Sequence, residues 1–224
     1  MTVLLMLCMI VAFLAADKVV RGLRASKERR LAMGEGTLLS GPPEGVRLAL
    51  NHSWMRMEKG VAVIGFDEFI ARMLGAVESV VVPVIGATVA PGTPDIALAH
   101  GNRRVRFASP VAGRVLEINR ALVETPAIVR RDPYRGGWLL KISPDPNGVP
   151  AAGSLTGAAA REWLGDQISL AKEFLTGVAP RPSLATLPDG GEPAEGVLLH
   201  CDAAAWEEFE RRFTTIHAPK PETT

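Results

Sequence analysis

Between Val46 and Pro144 the chain is divided into short apolar runs by glycine, proline and asparagine, and this pattern constrains the fold more than any other feature. Short runs of this kind, bounded by turn residues, are typical of β-strands. One helical pattern interrupts them: Asp67 is a suitable N-cap for a helix with an apolar face of Phe69, Ile70, Met73 and Leu74. We therefore predict a mainly β domain with small helices, an α+β fold arranged as a compact sandwich.

Two tight turns indicate where strands reverse direction. Glu58-Lys59-Gly60 predicts a turn into a strand over residues 61–64. Gly101-Asn102 predicts the tip of a second hairpin, between strands over residues 96–99 and 103–108. We expect the side chains at this second tip to be exposed.

Several motifs within residues 51–142 resemble, in order and spacing, those of the glycine cleavage H-protein family. Asn51-His52-Ser53-Trp54 is similar to the family's opening His-x-Trp strand, and Val80-Val81-Val82-Pro83-Val84-Ile85-Gly86 to its Val-x-Leu-Pro-x-x-Gly turn. Ser109-Pro110-Val111-Ala112-Gly113 resembles Ser-Pro-Val-Ser-Gly, and Asp132-Pro133-Tyr134-Arg135-Gly136-Gly137-Trp138-Leu139 resembles Asp-Pro-Tyr-x-x-Gly-Trp-Leu. The resemblance implies a lipoyl-type barrel-sandwich hybrid, which we assign to residues 46–144.

The resemblance also implies a position for a carried group, because an H protein bears a lipoyl group on one lysine in a Glu-Ser-Val-Lys motif. Here the corresponding residues are Ala99-His100-Gly101-Asn102, so Asn102 takes the place of the lysine and the acidic residue is absent. An amide nitrogen is not nucleophilic, and the neighbouring Arg103 stays protonated. Lys59 and Lys141 lie elsewhere in the pattern. We predict no lipoylation and no bound cofactor.

The predicted hairpin is basic, which suggests a second role for it. A candidate partner-binding surface consists of His100, Asn102, Arg103, Arg104 and Arg106. Arginine side chains bind carboxylates or phosphates through paired hydrogen bonds, so an acidic partner fits this surface. The alternative is that these are solvated charges on an exposed strand, which are common and contribute little.

The N-terminal residues predict a membrane anchor. Residues 2–16 carry no charge, and the run extended to Val20 spans roughly 28 Å as a helix, close to a bilayer core. Basic residues follow this run and none precede it, which predicts an N-terminus outside and a folded domain on the cytoplasmic side of the inner membrane. The alternatives are a signal peptide cleaved near Ala15-Ala16 and, less favoured because Leu7 precedes it, a lipoprotein site at Cys8.

These patterns divide the chain into four parts: an anchor (1–20), a basic juxtamembrane segment and linker (21–45), the H-protein-like domain (46–144) and a helical C-terminal extension with a disordered tail (145–224). Within the extension we predict one helix over residues 154–177, with apolar members Leu155, Ala159, Trp163, Ile168, Leu170, Phe174 and Leu175. A last helix begins after an Asp202 N-cap and carries a stripe of Trp206, Phe209 and Phe213. The stripe predicts packing into a core, with a docking surface as the alternative.

Other kinds of chemistry find little support in the sequence. A net charge of +1 and 5% aromatic residues do not favour nucleic-acid binding. His52 is interpreted as structural, and the pair His200-Cys201 has no partners at metal-ligand spacing. The sequence therefore favours a non-catalytic, membrane-anchored adaptor for an unidentified protein partner. The alternatives are a glycine-cleavage H-type carrier and an enzyme with its site in the extension; the oligomeric state stays open.

Overall fold

Residues 39–146, 153–178 and 193–215 are described by the structure, which is a computed structural model. The predicted anchor, most of the basic segment and linker that follow it, and the predicted tail lie outside these residues. Among the helices of the described residues, none is long and apolar enough to cross a membrane.

The described strands are all paired antiparallel and form two sheets. The larger sheet has the order β1-β2-β3-β9-β8-β5 and the smaller one the order β4-β6-β7. The strands are β1 (Val46–Leu48), β2 (Ser53–Glu58), β3 (Val61–Phe66), β4 (Ser79–Val81), β5 (Thr88–Val89), β6 (Ile96–His100), β7 (Arg103–Phe107), β8 (Gly113–Ile118) and β9 (Trp138–Pro144). The mainly β fold with helices agrees with the sequence-based prediction.

Helices fill the connections of the β domain and make up most of the described C-terminal part. They are α1 (Glu68–Leu74), α2 (Arg120–Glu124), α3 (Ile128–Arg131), α4 (Gly157–Val178) and α5 (Ala203–Phe209). A 3-10 turn (Val197–His200) precedes α5, and a π-helical turn (Glu210–Thr214) continues it.

Local signals in the sequence place the first hairpin and the first helix correctly. Lys59 and Gly60 both have positive φ, 50° and 85°, as a type I′ turn between antiparallel strands requires. The Asp67 carboxylate accepts a hydrogen bond from the backbone N–H of Ile70, so the predicted N-cap is confirmed. The apolar face predicted for this helix is buried.

Both sheets and the C-terminal helices share one hydrophobic core. The rings of Phe66 in β3 and Phe107 in β7 lie 3.8 Å apart between centroids, which joins the two sheets. The predicted stripe of the last helix enters this core: Trp206, Phe209 and Phe213 are all buried. The packing interpretation of that stripe is confirmed, and its reading as a docking surface is wrong.

The apolar face predicted for α4 was partly wrong. Leu170 is 37% exposed and Ala159 is exposed, while the helix begins only at Gly157, after Leu155. The buried face consists of Ala160, Leu164, Ile168, Ala171, Phe174 and Leu175. Alanine at two of these positions lets the helix approach the domain closely, and hydrophobicity alone does not show which alanines do so.

The end of α1 and the C-terminal segment meet at two glycines. Gly75 has a φ of 65°, and a Cβ atom added to it would lie 2.5 Å from the Cα of Gly196. The backbone N–H of Gly196 donates to the carbonyl of Arg72 at 2.9 Å. The described C-terminal segment is therefore held against the β domain by direct backbone contact.

Candidate functional site

The candidate site is the tip of the hairpin formed by β6 and β7. The closing pair is His100 and Arg103, and the turn between them is Gly101-Asn102, with a φ of 59° at Gly101. Asn102 is exposed, as the sequence predicted for the tip. Its side chain makes no hydrogen bond with any residue that the structure describes.

Glu78 braces the tip from the side of β4. One of its carboxylate oxygens accepts a hydrogen bond from the N–H of Gly101 at 2.8 Å. The other lies 3.4 Å from Nδ1 of His100, which is also 3.1 Å from the carbonyl of Ala76. His100 is thus involved in contacts within the chain.

Arg103 holds the C-terminal segment to the hairpin. Its guanidinium donates to the carbonyl of Cys201 at 2.6 Å, with Leu199 at 3.4 Å, and lies 5.5 Å from the ring centroid of Trp206. A cation over an indole ring and several carbonyl acceptors together stabilise this arrangement. The sequence could not show this contact, because the partners are separated by almost a hundred residues.

Arg104 and Arg106 differ in the contacts that they make with the rest of the protein. Arg106 lies 3.4 Å from a carboxylate oxygen of Glu210, and its backbone N–H donates to Glu210 at 3.2 Å. Arg104 is exposed and, among the described residues, has no hydrogen-bonding or ion-pair partner. The structure therefore brings the five predicted hairpin residues together, with Asn102 and Arg104 as the two that stay unengaged.

A second polar pair lies deep in the core. Nδ1 of His52 lies 2.7 Å from Oδ2 of Asp67, and both side chains are fully buried. The imidazole is stacked on Phe69, with 4.3 Å between ring centroids, and its centroid lies 4.6 Å from that of the tilted Trp163 ring. Its Nε2 makes no hydrogen bond with the described residues. Sequence analysis recognised His52 as structural but did not identify Asp67 as its partner.

Cys201 is a buried structural residue in the C-terminal segment that Arg103 contacts. Its thiol lies 3.6 Å from the carbonyl of Val197, and burial raises the pKa of the thiol above its usual range. A raised pKa keeps the thiol protonated, so this cysteine is a poor nucleophile or metal ligand.

The comparison with known families extends the resemblance to the whole β domain. The sequence model described as Glycine cleavage H-protein matches residues 46–162, from β1 into the first turns of α4. The chain belongs to the glycine cleavage H-protein family. The match continues beyond Pro144, so the start of the helical C-terminal part is included in it.

Curated relatives are similar over the same region. A glycine cleavage system H protein of Alcanivorax borkumensis is 35% identical over 104 residues, which is 46% of this chain and 81% of that protein. One from Pseudoalteromonas atlantica is 37% identical over 112 residues, 48% of this chain and 84% of that protein. A solved glycine cleavage system H protein from Mycobacterium marinum aligns with 56% of this chain and 98% of that chain, at 25% identity and a TM-score of 0.49.

Within this H-protein fold, the lysines of the described residues lie away from the hairpin tip. Lys59 is in the turn between β2 and β3. Lys141 is in β9, where its amine lies 2.7 Å from Glu117, and Lys172 is on α4. The tip itself presents an asparagine amide.

Proposed function

We propose that this protein is a non-catalytic H-protein-type binding module that carries no lipoyl group of its own and binds a partner protein through its hairpin. One observation carries the proposal: the exposed residue at the hairpin tip is Asn102. A lipoyl amide forms on a primary amine, and an asparagine amide does not supply one. The H-protein fold then serves as a binding surface and carries no mobile lipoyl group.

The second candidate function is that of a carrier in a glycine-cleavage system. The relatives favour it, because those reported above are named glycine cleavage system H proteins. It requires a lysine that is modified and that reaches the partner enzymes from an exposed tip. In the described residues, the lysines on the β2–β3 turn, on β9 and on α4 do not meet this requirement.

The same proposal includes the N-terminal anchor. Its support is the uncharged run at residues 2–16 followed by basic residues, which favours retention in the inner membrane with the folded domain in the cytoplasm. Protease added to intact spheroplasts is expected to leave the folded domain uncut and to cut it after permeabilisation. Digestion before permeabilisation would contradict this orientation.

Restoring the lysine tests whether the amine at position 102 is the only feature that the domain lacks for lipoylation. We expect Asn102→Lys to become lipoylated when a lipoate ligase and lipoate are supplied. The reason is that the two-residue tip is already exposed and held by Glu78. Intact-mass measurement followed by peptide mapping reports the site.

The chain contains its own control for this experiment. Lys59 is also exposed in a two-residue hairpin turn, but in the larger sheet. It should stay unmodified in the same sample, because the ligase recognises the surroundings of the tip and not only an exposed amine. Lipoylation of Lys59 as well as of the new lysine would show that the ligase modifies any exposed amine. The geometry of the tip would then not explain the modification.

A further inference from the structure

A groove of 770 Å³ separates β7 from α5, beside the hairpin tip. One wall carries Asn102, Arg104 and Arg106 of the hairpin, and the other carries Glu207, Glu210 and Arg211 from the C-terminal segment. The groove therefore exists only because the C-terminal segment stands beside the H-protein domain.

The hairpin wall is the free edge of a sheet. β7 is the last strand of the smaller sheet, paired on one side with β6 alone. The backbone N–H of Arg106 points away from β6, since it donates to Glu210. Backbone groups alternate in direction along a strand, so the N–H and carbonyl of Arg104 also face the groove. An edge of this kind accepts an additional extended segment.

The groove already binds one carboxylate, that of Glu210, at the edge of β7. The carboxylate of Glu210 accepts from the backbone N–H of Arg106 at 3.2 Å and lies 3.4 Å from its guanidinium. Glu210 thus occupies one of the positions on the edge that a ligand carboxylate or carbonyl would take. The neighbouring position, with the backbone and guanidinium of Arg104 and the amide of Asn102, has donors and no acceptor among the described residues.

We propose that this groove binds an acidic, extended segment of the partner protein, which pairs its backbone with the β7 edge at Arg104 and its carboxylates with the Arg104 guanidinium. Glu210 acts as an internal competitor for the same edge. This inference rests on the proposed function, since it specifies the partner of a binding module. Glu207 and Glu210 on the opposite wall disfavour a compact phosphate, since the charge of Arg211 beside them is paired with Glu208. An extended peptide places its own charges away from these carboxylates.

The test uses the full chain in a mild detergent and a fluorescent eight-residue peptide of alternating valine and glutamate, with blocked ends. We expect saturable binding that weakens as salt is raised, because the contact pairs exposed opposite charges. Arg104→Glu should reduce the affinity at least about tenfold, since it replaces a charge-assisted hydrogen bond with a like-charge contact. Glu210→Gln should increase the affinity several-fold by weakening the internal competitor.

Matched controls distinguish peptide binding in the groove from nonspecific electrostatic attraction. Arg120→Glu makes the same charge change on exposed α2, and it should leave binding unchanged. The peptide with glutamine in place of glutamate should bind weakly, and so should a glutamate peptide with N-methylated backbone amides. Inorganic phosphate at the peptide's concentration should not displace it.

Three results would overturn the assignment of peptide binding to the groove. Arg104→Glu and Arg120→Glu could lower the affinity for the peptide equally, the N-methylated peptide could bind as tightly as the unmethylated one, or phosphate could displace the bound peptide. Absence of peptide binding in a chain that also lacks a lipoyl adduct would remove the groove and leave the unlipoylated binding module standing. A lipoyl adduct would instead remove the proposed function, whatever the peptide does.

Discussion

Replacing Asp67 with alanine should lower the free energy of unfolding by about 2–5 kcal/mol, because it leaves a buried hydrogen-bonding group without its partner and removes a helix N-cap. Two contacts are lost together. Nδ1 of His52, at 2.7 Å, loses its partner in a site where neither side chain reaches solvent, and the N–H of Ile70 loses its cap. Urea unfolding followed by tryptophan fluorescence measures the change, since Trp54 and Trp206 are buried in the same core.

A second aspartate provides the control for this variant. Asp202 caps α5 by accepting a hydrogen bond from the N–H of Ala205 at 2.8 Å, but it is exposed and, within the described ranges, has no histidine partner. Asp202→Ala should therefore cost only about 0.5–2 kcal/mol, the usual price of a lost cap. Equal losses in the two variants would mean that the buried contact with His52 contributes nothing beyond capping.

Replacing Gly75 with alanine should be the most damaging of the glycine substitutions that we consider. The φ of 65° and ψ of −100° lie outside the regions allowed to alanine and cost about 1–3 kcal/mol, and the new Cβ would lie 2.5 Å from the Cα of Gly196. Backbone atoms cannot give way as a flexible side chain can, so overpacking adds about 1–3 kcal/mol. The C-terminal segment should also become more sensitive to protease near residues 193–201.

Gly60→Ala is the control for a positive φ without a close neighbour. Gly60 has a φ of 85°, and an added Cβ would meet no atom within 4 Å. Its loss of stability should reflect a positive φ alone, and the larger loss expected for Gly75→Ala combines the ψ of −100° at Gly75 with its close approach to Gly196. If the two variants lose the same stability, with no change in proteolysis, the C-terminal segment does not depend on this contact.

Sequence patterns predicted the features that are determined by neighbouring residues. The Lys59-Gly60 turn, the Asp67 cap and the exposed tip at Gly101-Asn102 each follow from a few adjacent side chains and their backbone preferences. The correspondence of Asn102 with the family's lysine needed the resemblance, because spacing to Ser109-Pro110 identifies the residue that replaces the lysine.

The remaining features depend on contacts between distant parts of the chain. The sequence did not indicate that the guanidinium of Arg103 contacts the carbonyl of Cys201 and the ring of Trp206. That contact requires the path of the C-terminal segment, which no local pattern provides. For the same reason, the sequence did not indicate the pairing of Asp67 with His52 or the face of α4 that packs against the domain.

The most direct test of the central claim is the intact mass of the unsubstituted chain after co-expression with a lipoate ligase in medium containing lipoate. We expect only the unmodified mass, because the tip residue Asn102 has no primary amine and Lys59, Lys141 and Lys172 lie elsewhere on the fold. A mass increase of one lipoyl group, mapped to any lysine, would contradict the account and support the carrier function.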